Sequence, residues 1–135
     1  MLALDCQSVC LAYSIAGRQL QALQDVTVTV EKREFVSLLG PSGCGKSSLL
    51  NIVAGFLKPT AGKILVEGRN VEKPGQDRGV IFQEHALFPW MTARQNINFG
   101  LDVSGIPKDE RDRKVDELIK LVGLTGFEHA FPSQL

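Results

Sequence analysis

The sequence lacks several features that define specialised classes of protein. No apolar run approaches the ~18 residues that a membrane-spanning helix needs. The N-terminus has no basic segment followed by an apolar one, so no secretory signal is expected. Charge of one sign is also missing, since 15 Lys and Arg balance 15 Asp and Glu. This balance argues against a nucleic-acid-binding protein that depends on a strong overall field.

Cysteine is sparse and odd in number. The sequence has three, Cys6, Cys10 and Cys44, which argues against a disulfide scaffold and favours a reducing compartment. Cys6 and Cys10 have the spacing C-x3-C, but neither a second pair nor a nearby His completes a tetrahedral zinc site. We therefore interpret these two as small residues of a strand.

The first part of the chain is rich in strand patterns. With 135 residues, of which 44% are apolar, the chain is long enough to bury a core. Strands are predicted at residues 2–13, 23–30, 35–39, 63–67 and 79–82, with a turn and return over 14–22. In the second strand Val26, Val28 and Val30 share one face. The runs 35–39 and 79–82 are nearly continuous in apolar residues, which is typical of strands buried on both faces of a sheet.

Helical patterns follow the strands. Helices are predicted at residues 46–54, at 93–101 and from Pro107 to about residue 122. Gly55 suits the position after the first of these, and Pro107 suits the start of the last. The last helix has an apolar stripe that is predicted to pack, formed by Val115, Leu118, Ile119 and Val122. Its charged face is predicted to be solvated and to form i, i+4 pairs.

One segment matches the phosphate-binding pattern G-x-x-x-x-G-K-[ST]: residues 40–47 read Gly-Pro-Ser-Gly-Cys-Gly-Lys-Ser. The predicted strand before it and helix after it are the arrangement that this loop requires. Its glycines bring backbone N–H groups close to phosphate oxygens, and the helix points its positive end at the same place. Lys46 is predicted to reach the β- and γ-phosphates, and Ser47 to hold Mg²⁺. Cys44 is predicted to act through its backbone N–H, because the loop offers its thiol no general base.

The loop alone leaves the reaction open, because kinases, GTPases, helicases and transporter ATPases share it. A GTPase should also carry an Asn-Lys-x-Asp guanine reader, and the sequence has none. Beyond the loop, essentially the whole chain resembles the ATP-binding subunit of an ABC transporter, most closely importers of nitrate, sulfonate or taurine type. The segments that carry the resemblance are 23–26, 40–48, 51–62, 79–83, 86–92 and 132–135.

The resemblance implies an α/β fold: a P-loop NTPase core with an antiparallel β subdomain and the start of an α-helical subdomain, incomplete in this chain. Residues 1–90 are then the partial nucleotide-binding core, and residues 91–135 the start of the helical subdomain. The implied ligands are ATP and Mg²⁺.

The same resemblance assigns roles to single residues. Tyr13 aligns with the aromatic residue that stacks on adenine, although an ordinary strand tyrosine is the alternative. Lys46 and Gln83 are the catalytic candidates, and Gln83 would touch Mg²⁺ or the attacking water. The residues expected around the phosphates are Gly40, Ser42, Gly43, Cys44, Gly45, Lys46, Ser47 and Ser48. His85 is expected to be exposed and without a catalytic role.

The apolar run 88–91, Phe-Pro-Trp-Met, has two interpretations. An exposed patch there would suit docking of a permease helix. Packing against the helical part of the chain is the equally supported alternative.

The family pattern continues with a signature motif, an acidic strand with a catalytic Glu, and a switch His, and this sequence contains none of them. We therefore expect a fragment of a longer subunit that binds ATP without turnover; folding alone through an oligomer or strand exchange is the alternative. The implied function is energy coupling for import of a small solute. A non-catalytic nucleotide-binding or interaction module that partners a permease is the second hypothesis, and a kinase-like reading is weaker because it does not explain residues 80–83.

The resemblance also implies the partners. They are a transmembrane permease, a second copy of the ATPase subunit and, indirectly, a substrate-binding protein, with no nucleic acid. The expected location is peripheral, on the cytoplasmic face of the cell membrane.

Overall fold

The structure is a computed structural model, and it describes residues 2–83 and 86–135. The chain divides into two compact units, Met1–Val80 and Ile81–Leu135. The functional division expected after residue 90 stays a prediction. Neither unit, over the described ranges, contains a helix whose length and apolar character would let it cross a bilayer.

The first unit is a four-stranded antiparallel sheet with one helix. The strands are β1 (Leu2–Ile15), β2 (Arg18–Glu31), β3 (Ala61–Val66) and β4 (Arg69–Asn70), in the spatial order β2-β1-β3-β4. The predictions of strands at 2–13, 23–30 and 63–67 are confirmed. Within the predicted turn and return, β1 and β2 extend to a two-residue turn at Ala16 and Gly17, with φ of 49° and 76°. Two successive positive φ values fit the right-handed twist of a hairpin.

Helix α1 (Lys46–Ala54) packs on this sheet, and its predicted bounds are confirmed. It ends at Gly55, whose φ of 85° is a left-handed conformation that glycine adopts without steric cost. The buried core has contributions from sheet and helix: Cys6, Val9, Leu11, Leu23, Leu49, Ile52 and Ile64. In β2, alternate residues are half-buried, which confirms the predicted face of Val26, Val28 and Val30. The core therefore fixes α1, and with it the loop before α1, to one side of the sheet.

Strand β3 makes an unusually close approach to β1 at Gly62. Ser8 interrupts the β1–β2 register with a φ of 48°, and its N–H donates to Thr27 Oγ1 at 3.1 Å. Gly62 has a φ of +79°, and a Cβ there would lie 2.2 Å from the Ser8 carbonyl oxygen. Only glycine fits this position, because both the conformation and the space exclude a side chain.

The predictions of buried strands at 35–39 and 79–82 are wrong. Both segments lack regular structure, and Phe35 and Leu39 are each 91% exposed. Within the described part of the chain, the sheet has no strand beside either segment. A strand that is buried on both faces needs neighbours for its backbone groups and cover for its side chains. The apolar pattern was read correctly, but its burial depends on partners that this sheet does not provide.

The second unit contains helices α2 (Ala93–Val103) and α3 (Lys108–Leu121) and a final 3₁₀ turn, Pro132–Gln134. Helix α2 begins with a capping box, in which Thr92 Oγ1 accepts from Gln95 N and Thr92 N donates to Gln95 Oε1. Arg94 of α2 pairs with Asp116 and Asp112 of α3. The predicted helices at 93–101 and after Pro107 are thus confirmed, with α2 slightly longer than expected.

Only half of the predicted stripe on α3 is buried. Val115 and Ile119 are 1% and 2% exposed, whereas Leu118 and Val122 are exposed. Val122 is the cap residue after α3 and not part of its last turn, so the helical spacing does not carry it inward. On the charged face, Lys114 and Glu110 form the expected i, i+4 pair at 2.7 Å.

Candidate functional site

The loop that matches the phosphate-binding pattern leads directly into α1. Gly43 and Gly45 have φ of 80° and 96°, and Gly45 is the N-cap of the helix. No side chain among the described residues caps this helix start. The first N–H groups of a helix have no intrahelical partner and carry its positive end. The loop and helix therefore present uncapped donors, which is the local chemistry of an anion site.

Lys46 folds back over the loop. Its Nζ donates to the carbonyl oxygens of Gly40 and Pro41 at 2.8 and 2.7 Å, and lies 3.4 Å from Cys44 Sγ. These bonds hold the ammonium group at the loop, and no carboxylate among the described residues pairs with it. Gly40 thus interacts with Lys46 through its carbonyl group.

A cleft of about 390 Å³ opens beside the loop. Its lining contains seven of the predicted site residues: Tyr13, Ser42, Gly43, Gly45, Lys46, Ser47 and Ser48. The Tyr13 hydroxyl and Ser48 Oγ are 3.1 Å apart, within hydrogen-bond distance. None of the described lining residues carries a carboxylate, and Lys46 is the one that carries a charge. The cleft therefore favours an anionic ligand with an apolar or aromatic part.

The opposite wall of the cleft was missed at the sequence level. It consists of Leu20, Gln21 and Ala22 of β2. A Cβ on Gly45 would lie 2.6 Å from the Ala22 carbonyl oxygen and 2.8 Å from Leu23 Cδ2. Gly45 is thus needed for the loop to rest on β2, as well as for the backbone turn. The hairpin pattern predicts the strand, but only the tertiary contact shows that it borders the loop.

The three thiols differ sharply in environment. Cys6 is fully buried in β1, and burial, together with the nearby Asp5 carboxylate, raises its pKa to about 11. Cys10 is half-buried in the same strand, whereas Cys44 is exposed in the loop. The prediction that Cys6 and Cys10 lie in a strand is confirmed.

We expect iodoacetamide at pH 8 to alkylate Cys44 and to leave Cys6 unmodified in the folded chain. The thiolate is the reactive form of cysteine. Cys6 is buried, and its raised pKa keeps the thiol protonated at pH 8. Peptide mapping by mass spectrometry would measure both sites, with the chain unfolded in guanidinium as the control in which all thiols react. Equal native labelling of Cys6 and Cys44 would contradict the buried position of Cys6.

The remaining predictions from the sequence concern Gln83 and His85. Gln83 belongs to the second unit, in an exposed bend, and its role toward Mg²⁺ and water stays a prediction. His85 lies outside the described residues.

The apolar run 88–91 is divided between the two interpretations. The Phe88 ring packs edge-on against Phe99 of α2 at 4.7 Å, and Asn96 binds the Phe88 backbone through both its amide atoms. Trp90 is 69% exposed. Phe88 thus anchors the turn to α2, while Trp90 presents an aromatic surface to solvent.

The model of the ABC transporter family matches residues 23–135 of this chain. The chain belongs to the ABC transporter family. The match includes the loop, α1 and the whole second unit. The resemblance to ATP-binding subunits of ABC transporters, which was identified from the sequence, is therefore confirmed.

Relatives within the family are ATP-binding proteins of transporters. An uncharacterized ABC transporter ATP-binding protein of Methanocaldococcus jannaschii is 48% identical over 123 residues, which are 91% of this chain and 46% of the relative. The taurine import ATP-binding protein TauB of Rhizobium johnstonii is 47% identical over 135 residues, which are 100% of this chain and 51% of the relative. TauB of Roseobacter denitrificans is 49% identical over 112 residues, 83% and 42% respectively. The chain spans about half the length of these relatives.

Solved structures of the family share the fold. An ATP-binding cassette, in a dimeric post-hydrolysis state bound to ADP and Pi, matches with a TM-score of 0.83 and 29% identity over 98% of this chain and 62% of that one. A second dimeric structure of a bacterial ABC transporter cassette matches with a TM-score of 0.84. These matches confirm the predicted fold class, that of a partial ABC-type ATPase domain.

Proposed function

We propose that this chain is the nucleotide-binding portion of a subunit that uses ATP binding and hydrolysis to drive import of a small solute. The observation that carries the proposal is the cleft beside the loop. An uncapped helix start, a lysine with no carboxylate partner among the described residues, and an aromatic ring meet there. A nucleoside triphosphate has the matching parts, a polyanionic chain and a flat base.

In this proposal, different residues of the cleft bind the phosphates, the adenine and the Mg²⁺ of MgATP. The backbone N–H groups of the loop and the start of α1 bind phosphate oxygens, and Lys46 exchanges its two carbonyl partners for phosphate oxygens. The Tyr13 ring offers a face to the adenine. Ser47 lines the cleft with an exposed hydroxyl, which is the ligand that this chain offers to Mg²⁺. Bound Mg²⁺ would neutralise part of the triphosphate charge.

Hydrolysis needs a general base that deprotonates water, and the described lining of the cleft offers no carboxylate for that role. The proposal therefore includes binding without turnover by this 135-residue chain. In the longer family proteins, downstream sequence would supply that group.

The partners in this proposal are a transmembrane permease, a second copy of the subunit and, indirectly, a solute-binding protein, at the cytoplasmic face of the membrane. Two relatives named for taurine import support import as the direction. The dimeric cassettes of similar fold support pairing of two copies.

The purified chain is expected to bind MgATP and to release no phosphate above background. Binding would be measured by isothermal titration calorimetry, and turnover by phosphate release over hours. An extended version that reaches the length of the relatives is expected to hydrolyse ATP. If the extended version bound ATP with no turnover, the non-catalytic module would replace the ATPase proposal. Lys46-dependent hydrolysis by the short chain would contradict the assignment of the missing group to downstream sequence.

A further inference from the structure

The hydrogen bond between Tyr13 and Ser48 joins two elements that are 35 residues apart in sequence. Tyr13 lies near the end of β1, and Ser48 lies in the first turn of α1, two residues after Lys46. Both residues are half-buried and line the same cleft. The bond therefore ties an aromatic wall of the cleft to the helix start that follows the loop.

The Tyr13 side chain is partly buried and packs against the core of the first unit. The residue paired with Tyr13 is Leu20, which is 56% exposed and offers little packing. With its hydroxyl fixed, the ring keeps fewer of its side-chain rotamers, and a ring that is fixed before binding loses less entropy on binding. The 3.1 Å contact with Ser48 adds a directional restraint to the packing of this ring, because a hydrogen bond fixes the position of the hydroxyl group.

We propose that Ser48 is a positioning residue for Tyr13, and that its hydroxyl fixes the ring as the base-binding wall of the cleft. This inference rests on the proposed function, since it concerns how the same cleft selects a nucleotide. It assigns to Ser48 a role toward the base, transmitted through Tyr13, in addition to the contact with phosphate expected for the loop. The bond also couples the two ends of the ligand, because α1 orders the phosphate donors and holds the ring at the same time.

A residue that positions the Tyr13 ring should affect the binding of ATP only, whereas a residue that contacts phosphate should affect the binding of ATP and triphosphate alike. Inorganic triphosphate has the phosphates of ATP but no base, so losing the restraint on the ring should not affect its binding. A neutral hydrogen bond of this kind is worth about three- to tenfold in affinity. The ratio of the two dissociation constants therefore separates a role in positioning the ring from a purely structural role.

The test compares Tyr13→Phe, Ser48→Ala and the double variant of the full 135-residue chain, each titrated with MgATP and with magnesium triphosphate. Tyr13→Phe is expected to weaken ATP binding about three- to tenfold and to change triphosphate binding less than about twofold. Once Ser48 is alanine, the further change of Tyr13 to Phe should have no effect on ATP. Ser14→Ala is the matched control, since this exposed serine adjoins Tyr13 and does not line the cleft.

A second measurement needs no ligand. Tyr13 is the only tyrosine, so a chain labelled with fluorotyrosine gives one ¹⁹F NMR signal. Ser48→Ala is expected to shift this signal toward that of an unrestrained ring, and Ser14→Ala to leave it in place.

Three outcomes would overturn the inference. They are unchanged or tighter ATP binding by Tyr13→Phe, independent effects of the two substitutions that multiply in the double variant, and an unmoved ¹⁹F signal in Ser48→Ala. Binding of both ligands by the unmodified chain, combined with any of these, would leave the proposed function standing. If the unmodified chain bound neither ligand, the proposed function would fail, and the inference would fail with it.

Discussion

Replacing Lys46 with alanine is expected to weaken MgATP binding by about 2–3 kcal/mol, or roughly 30- to 150-fold in Kd. Lys46 is the one charged residue among the described residues that line the cleft, and charge-assisted bonds to phosphate are the strongest that this site can form. Its removal also deletes the two bonds to the carbonyl groups of Gly40 and Pro41, which hold the loop before ligand arrives. Calorimetric titration of both chains at fixed salt would measure the loss.

The matched control is Lys58→Ala. Lys58 is an exposed lysine after α1 that lines a different cleft, so its replacement removes the same charge without touching the loop. We expect the control to bind MgATP within about twofold of the unmodified chain, because exposed charges at a distance are screened by salt. Equal losses in the two variants would mean that net charge, and not the position of the ammonium group, determines affinity.

Replacing Gly62 with alanine is expected to destabilise the first unit by about 3 kcal/mol or more. A left-handed conformation costs a non-glycine residue about 1–2 kcal/mol, and the overlap of the new Cβ with backbone adds to that cost. Here the Cβ would lie 2.2 Å from the Ser8 carbonyl oxygen and 2.5 Å from that of Gln7. Both are backbone atoms of β1, which cannot move aside as a flexible side chain would. Urea unfolding followed by circular dichroism would give the difference.

Gly68→Ala is the control for this substitution. Gly68 has nearly the same φ, +78°, but a Cβ there meets nothing within 4 Å among the described residues. Its replacement should therefore cost only the conformational part, about 1–2 kcal/mol. Equal shifts of the unfolding midpoint in both variants would show that the β1–β3 approach is not as close as described.

Features that depend on neighbouring residues in sequence were predictable from sequence. Helix α1 has its apolar positions, its glycine stop and its loop within one short stretch, and its bounds at Lys46 and Ala54 were predicted correctly. The turn and return between β1 and β2 follow from the same kind of local rule. For the candidate site, the same locality identified the loop, because its pattern is contiguous.

Features that depend on tertiary partners were not predictable. The segment 35–39 has the pattern of a buried strand, but a pattern does not state whether neighbouring strands are present. The wall of the cleft formed by Leu20, Gln21 and Ala22 is likewise a product of packing, since the loop rests on β2 through Gly45. The bond between Tyr13 and Ser48 joins residues far apart in sequence, and no spacing rule relates them.

The exposed segment 35–39 also has a consequence for the chain in concentrated solution. It is a short uncharged run without proline, and Phe35 and Leu39 at its ends are each 91% exposed. Such a run is a template to which the same segment of another molecule can add as a strand. With a formal net charge of zero, the molecules have little long-range repulsion to oppose this encounter. We therefore expect the purified chain to self-associate more readily as its concentration rises.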